Sequence, residues 1–387
     1  MKRFILKSIL FSFIIMISFY CIPTLNNKVF ADEEKINTRS KSALLYDAKS
    51  GTVIFEKDSD KKLPIASMTK IASLLIIFDA IDQGIINEDT LVKISRHAAE
   101  TEGSSAFLDE KNEYKVSDLL MTVIVCSAND STVALAEAVA GTEDAFVKMM
   151  NDKAKQLGLQ NTLFSNSTGL PVLDHYSSAK DIAKIYTEIC DNKIYKKYSK
   201  IWMTELIHPS GRKTDIVNTN KLIKSYEGCD SGKTGFTNDA GYCLAASATR
   251  SGMRLVGVVI GAENSKERFA EMADMFNYGF KNYENKTVIK EDQALYDVDV
   301  LNAKVKNIKI YPKEDYVRFL KKGESFEYQL DYKIERLKAP LKIGDKVGVL
   351  YILDKNNIVV HEEDLIVKED VEEMTVFDII KRILNKI

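Results

Sequence analysis

Apolar and polar positions divide the chain into stretches of different period. Ser42 to Asp47 and Thr52 to Glu56 are short strand-like runs on either side of the turn-prone Ala48-Lys49-Ser50-Gly51, which predicts a hairpin. Pro64 then precedes a helix from about Ser67 to Asp82. Between Ile71 and Phe78 that helix is apolar almost all round, the pattern of a helix enclosed by the core rather than lying on it. A mainly helical region runs from about Val116 to Leu157 and is closed by Gly158; helix returns near Ala179 to Cys190. Between them, Asn161 to Ser178 is rich in Asn, Ser, Thr, Gly and Pro and reads as a long loop. Strand pattern resumes at Gly241 to Ala248 and at Arg254 to Gly261, and a helix from about Lys266 to Lys281 ends the unit. Strands at both ends with helices between them predict an α+β domain over about residues 38–288, its first and last strands meeting in one sheet.

The pattern then changes. Residues 295–368 hold short Val/Ile/Leu/Tyr runs broken by charged turns (Leu301 to Tyr311, Ser325 to Tyr332, Lys346 to Leu353, Ile358 to Leu365), which predicts a small all-β domain. In residues 371–387, Val376, Ile380, Ile383, Leu384 and Ile387 fall on one helical face, widened by Phe377, with Lys381, Arg382 and Lys386 off the stripe. That face suits a helix lying in a membrane interface, or one docked on the β domain.

At the other end, Lys2, Arg3 and Lys7 precede a short apolar run from Ile9 to Tyr20. Val29-Phe30-Ala31 then offers small residues ahead of Asp32-Glu33-Glu34. This is the layout of a secretory signal peptide, residues 1–31, cut after Ala31. Cleavage removes four basic residues and no acidic one, so 54 basic against 56 acidic becomes 50 against 56. A mildly acidic exported chain lacks the basic stripe of a nucleic-acid binder, so no nucleic-acid partner is expected. Cys126, Cys190, Cys229 and Cys243 remain in a setting that permits disulfides. No C-x-x-C occurs, and His97, His175, His208 and His361 are scattered, so neither a metal site nor a cofactor is expected.

Against this frame Ser67-Met68-Thr69-Lys70 opens the enclosed helix. A separation of three puts Ser67 and Lys70 on one face, one turn apart. The helix N-terminus favours a developing oxyanion. A lysine buried there loses basicity, and a neutral amine can take the serine proton. S-x-x-K also occurs at Ser59/Lys62, Ser177/Lys180 and Ser210/Lys213, which read as turn or surface residues; only Ser67 sits at the head of an apolar run. Ser127-Ala128-Asn129 follows the apolar Leu119 to Cys126, where its hydroxyl and amide either cap a helix or share a proton network with Lys70 and hold a substrate amide. Lys233-Thr234-Gly235 comes just before a strand. Lys and Thr there can bind a carboxylate, and Gly lets an extended substrate lie along the strand edge. Alone, it reads as a turn.

S-x-x-K, S-x-N and K-T-G in that order are the set of penicillin-binding proteins and class A β-lactamases. With Phe164 to Leu170, His175 to Ala179 and Lys233 to Tyr242, the sequence resembles the low-molecular-mass penicillin-binding proteins that are D-alanyl-D-alanine carboxypeptidases, nearest the branch of spore-forming bacteria. The resemblance implies a β-lactamase-like catalytic domain, an antiparallel sheet flanked by helices, followed by a small all-β domain and an amphipathic anchor helix on the outer face of the cytoplasmic membrane or in the wall. It implies Ser67 as nucleophile, Lys70 as base and Ser127 as proton relay. Asn129 would hold the substrate amide, the N–H groups of Ser67 and Phe236 the oxyanion, and Lys233, Thr234 and Arg268 the terminal carboxylate. The substrate would be a peptidoglycan stem peptide ending in D-Ala-D-Ala, and β-lactams would be covalent inhibitors. Departures from the family pattern at Ala128, Ser167 and Phe236 bear on substrate preference. A β-lactamase is the nearest rival, but Asn161 to Ser178 holds no Glu to activate the deacylating water. An endopeptidase acting on cross-links would use the same machinery. A non-catalytic penicillin-sensing or wall-binding module would not be expected to keep both Ser67 and Lys70.

Overall fold

The computed structural model describes residues 36–384. The signal-peptide stretch lies outside them, as does Ile387 at the end of the C-terminal stripe. Strands β1 (Ser42–Asp47) and β2 (Val53–Lys57) form the predicted hairpin. A 3-10 turn, Ala66–Thr69, leads into helix α1 (Lys70–Asp82), so the helical run begins with a tighter turn than its sequence pattern implies. The mainly helical region expected over 116–157 comprises three helices, α2 (Val116–Val125), α3 (Asn129–Ala140) and α4 (Glu143–Gln156), with Ser127 in the break between the first two. Helix α5 (Ala179–Cys190) follows the long loop. Strands β3 (Cys229–Thr237), β4 (Gly241–Arg250) and β5 (Met253–Ala262) and helix α6 (Ser265–Asn282) close the unit.

The five strands form one antiparallel sheet in the order β2-β1-β5-β4-β3. The first and last strands meet as expected, with Ser42 opposite Ile260 and Asp47 opposite Leu255. Both faces of the sheet are covered. Leu44, Ala245, Val258 and Ile260 point into a large core built around α1, α3 and α5. Their neighbours Ala43, Leu45, Leu244, Ala246 and Val259 point the other way, onto Met272, Met275 and Phe276 of α6. Strand alternation thus supplies two apolar faces, which is why these strands read as near-continuous apolar runs. Ile71 to Phe78 of α1 are all buried.

The C-terminal region begins earlier than its pattern indicates. Strand β6 (Tyr283–Ile289) continues directly from α6; then come β7 (Tyr296–Asp299), β8 (Asn307–Pro312), β9 (Tyr316–Lys321), β10 (Tyr328–Ile334), β11 (Lys346–Asp354) and β12 (Val359–Val367). β6 pairs with β9, and the rest form a sheet in the order β7-β8-β12-β11-β10 around Ile308, Ile310, Leu350, Ile352 and Leu365. Helix α7 (Val376–Leu384) ends the described chain. Val376, Phe377, Ile379 and Ile380 on it are exposed. No helix among the described residues is long and apolar enough to cross a membrane.

Candidate active site

Ser67 lies in the 3-10 turn at the head of α1, half-buried, between residues buried on both sides. Its predecessor Ala66 has φ +48°, a left-handed conformation that costs a residue with a Cβ about 1–2 kcal/mol. Edge strand β3 packs against this turn. A Cβ on Gly235 would lie 2.7 Å from the Ile65 carbonyl oxygen and 3.2 Å from the Ser67 nitrogen. Gly235 therefore permits the close approach of β3 to the serine backbone, rather than leaving room for substrate on its own account.

Lys70, fully buried, places its Nζ 3.1 Å from Ser67 Oγ, 2.6 Å from Asn129 Oδ1 and 2.7 Å from the Thr168 carbonyl oxygen. Burial, and then the charge of Lys233, holds its pKa well below the ordinary lysine value. As a neutral amine it has two hydrogens, and Asn129 Oδ1 and the Thr168 oxygen can only accept. The lone pair is then left for the Ser67 hydroxyl. Asn129 is clamped in turn: its Nδ2 donates to the Glu102 carbonyl at 2.6 Å, and its backbone N–H to the Ser104 carbonyl at 2.6 Å.

Ser127 ends the break between α2 and α3 with φ +67°. Its hydroxyl caps no helix and instead accepts from Lys233 Nζ at 2.7 Å. Lys233 also reaches the Thr234 carbonyl at 3.0 Å, and burial pushes its pKa down to about 7. Thr234 Oγ1 donates to Thr219 Oγ1 at 2.8 Å. Phe236 faces outward, 49% exposed by relative area, its ring 4.3 Å from that of Tyr242. Arg268, in the first turn of α6, is buried rather than solvated. Its Nη1 donates to the carbonyls of Gly235 (3.0 Å) and Cys243 (3.2 Å), its Nε has no partner among the described residues, and burial lowers its pKa to about 10.

The nine candidate site residues lie on or against the α1 head and β3, and five of them form two hydrogen-bonded groups, Ser67-Lys70-Asn129 and Ser127-Lys233. Lys233-Thr234-Gly235 is inside β3, not a turn ahead of a strand. Among the described residues no strand occupies its outer side, which is what makes room for the helix head. Ser177 is buried, contrary to its reading as a turn or surface residue, and hydrogen-bonds Thr162. The four cysteines of the catalytic region are free thiols. Sequence reasoning missed the Thr168 carbonyl, Thr219 and Thr69; a backbone acceptor has no sequence signature, and a lone threonine has little.

A half-exposed hydroxyl beside a buried amine of lowered basicity, under an edge strand that carries a second buried amine, is equipped for acyl transfer to serine. With a helix-flanked antiparallel sheet it defines a serine hydrolase of the penicillin-recognising fold. The family pattern of D-alanyl-D-alanine carboxypeptidases (peptidase family S11) matches residues 28–264, and that of the penicillin-binding protein 5 C-terminal domain matches residues 283–373. D-alanyl-D-alanine carboxypeptidase DacF of Bacillus subtilis, a spore-former, is 38% identical over 348 residues, 89% of each chain. The crystal structure of penicillin-binding protein 5 from Haemophilus influenzae is 31% identical and superimposes with a TM-score of 0.68, covering 87% of this chain and 98% of that one. That of a peptidoglycan synthesis regulatory factor, PBP3, from Streptococcus pneumoniae is 25% identical with a TM-score of 0.73, covering 87% and 100%. The chain belongs to the S11 family of serine-type D-alanyl-D-alanine carboxypeptidases.

Proposed function

We propose that this carboxypeptidase shortens peptidoglycan stem peptides through an acyl-enzyme on Ser67. The Lys70 lone pair takes the Ser67 proton as Oγ bonds to the carbonyl carbon between the two D-alanines. The oxyanion accepts from the N–H groups of Ser67 and Phe236. Ser127, held by Lys233, passes its proton to the leaving nitrogen and takes the Lys70 proton in its place; the C–N bond breaks, D-alanine departs and Lys70 is again a neutral amine. Water then adds to the ester carbonyl, giving a proton to Lys70. The C–Oγ bond breaks, Ser67 regains its proton, and the shortened peptide leaves as a carboxylate. Lys233, Thr234 and Arg268 draw the terminal carboxylate to β3, while Asn129 holds both Lys70 and the substrate amide through its remaining hydrogen. Penicillin acylates Ser67 the same way, but its amine stays tethered. The observation that carries this reading is the 3.1 Å contact between Ser67 Oγ and an amine whose other two neighbours are pure acceptors.

The site of action follows from the same reading. Residues 1–31 direct export and are removed, and α7 lays Val376, Phe377, Ile379 and Ile380 in the membrane interface. The test of the chemistry is D-alanine release from diacyl-L-Lys-D-Ala-D-Ala, with Ser67→Ala and penicillin-treated samples beside it. Release that both controls abolish is the expected result. Penicillin labelling of Ser67 without release would assign the protein to cross-link cleavage instead, and neither labelling nor release would overturn the mechanism.

A further inference from the structure

Behind the nucleophile lies a chain of hydrogen bonds that the mechanism above does not use. The backbone N–H of Ser165 donates to His175 Nδ1 at 3.1 Å, which leaves the proton of the neutral ring on Nε2. Nε2 lies 2.7 Å from Thr69 Oγ1, and Thr69 Oγ1 donates its own proton to the Ala66 carbonyl at 2.8 Å. Every donor in this series points the same way, from the loop toward the helix head. Thr69 is fully buried and His175 nearly so, with its ring edge-on to Phe164 at 5.9 Å. A second proton on the ring would set Nδ1–H against the Ser165 N–H. Burial and the charge of Lys70 oppose that protonation, lowering the His175 pKa to about 4.

The end of the chain matters because of what a peptide plane does. Ala66 C=O and Ser67 N–H belong to one trans planar unit and point in opposite directions. Ala66 sits at φ +48°, away from the relaxed backbone, so this plane would turn if released. Holding the oxygen therefore fixes where the N–H aims.

We propose that Thr69 and His175 are positioning residues that aim the Ser67 N–H at the developing oxyanion through the Ala66 carbonyl. The inference rests on Ser67 being the nucleophile. Neither residue touches substrate; each acts through the one before it. Thr69 is the essential link, since Val at this position keeps the shape and loses both the donor and the acceptor. His175 orients the Thr69 hydroxyl, so its loss has a smaller effect.

The experiment compares acylation of the full protein by an acyl-D-Ala ester and by its thionoester, whose sulfur accepts hydrogen bonds weakly. Thr69→Val is expected to lower kcat/KM for the oxygen ester about 100-fold, through kcat, and to shrink the oxygen-to-sulfur preference by a similar factor. His175→Leu is expected to do the same at about tenfold, and Thr69→Ser and His175→Gln, which keep the donors, to restore most of the rate. Should Thr69→Val fail to fold, His175→Leu supplies the same readout. A folded Thr69→Val within about threefold of wild type would overturn the inference, as would an equal loss on both esters, the mark of a purely structural role. In those outcomes Ser67-dependent acylation by the wild type would leave the mechanism standing. A wild type that is acylated by neither ester would overturn both.

Discussion

The catalytic and C-terminal regions are both built on antiparallel five-stranded sheets, yet they treat charge and strain in opposite ways. Lys70, Lys233, Arg268, Asp130 and Glu271 are buried in the first; among the described residues of the second no charged side chain is. The same contrast appears in the backbone. Left-handed residues in the C-terminal region include Asn302 and Asn357, a residue type that tolerates the conformation in exposed turns. At the candidate active site they are Ala66 and Ser127, both buried and one residue from, or within, a group proposed to react. One region obeys the local rules of stable folding, and the other breaks them where the proposed chemistry is done.

Matched substitutions sharpen this comparison. Gly235 in β3 and Gly348 in β11 have the same clearance: a Cβ on either would lie 2.7 Å from a carbonyl oxygen, that of Ile65 or of Lys333. Gly235→Ala is expected to push β3 from the serine and slow penicillin acylation about 100-fold. Gly348→Ala is expected to lower the melting temperature while acylation of the folded protein stays within about twofold. Similar acylation losses in both would erase the distinction.

The next effect is on stability. Lys233 has a folded pKa of about 7 against 10.5 for the free side chain, so the unfolded chain holds the proton more tightly. The resulting penalty on the native state is complete below pH 7 and fades as pH rises toward 10. Lys233→Met is expected to abolish turnover yet melt higher than wild type, its advantage shrinking by at most about 1.4 kcal/mol per pH unit between pH 7 and 10. The exposed Lys346, paired with Asp364, is the control, and its replacement by Met should leave the melting curve nearly unmoved at every pH. An advantage for Lys233→Met that grows with pH would contradict the assignment. The smallest expected effect concerns α7: Phe377→Asp should weaken binding to anionic lipid vesicles about tenfold without changing D-alanine release from a soluble peptide. Unaltered vesicle binding would separate this helix from the membrane.

What the sequence made legible follows the range of the interactions involved. Ser67 and Lys70 are one helical turn apart, so their partnership is a local pattern. Ser127 and Lys233 are 106 residues apart, and only the closed fold places one on the other. Lys233-Thr234-Gly235 looks like a turn because its residues have little strand preference. β3 forms all the same, through its pairing with β4 and the approach that Gly235 allows. In the C-terminal region β11 and β12 were visible through their apolar runs. β6 was not, since Glu284, Asn285 and Lys286 dilute its pattern and its order comes from pairing with β9 and the stacking of Tyr283 on Phe319, 5.1 Å apart. His175 was one of four scattered histidines until the fold set it behind Thr69.

The pairing of β1 with β5 has a kinetic consequence. Ser42 cannot find Ile260 until nearly the whole catalytic stretch has been laid down between them, and contacts so distant in sequence close slowly. Before that closure α1 can already carry Ser67 and Lys70, but β3 has no seat beside them, and Lys233 and Gly235 are absent from the site. On the proposed mechanism, covalent capture by a β-lactam is therefore a clock for the final folding step: in a refolding time course, the fraction of molecules that bind the drug would count those whose terminal strands have met.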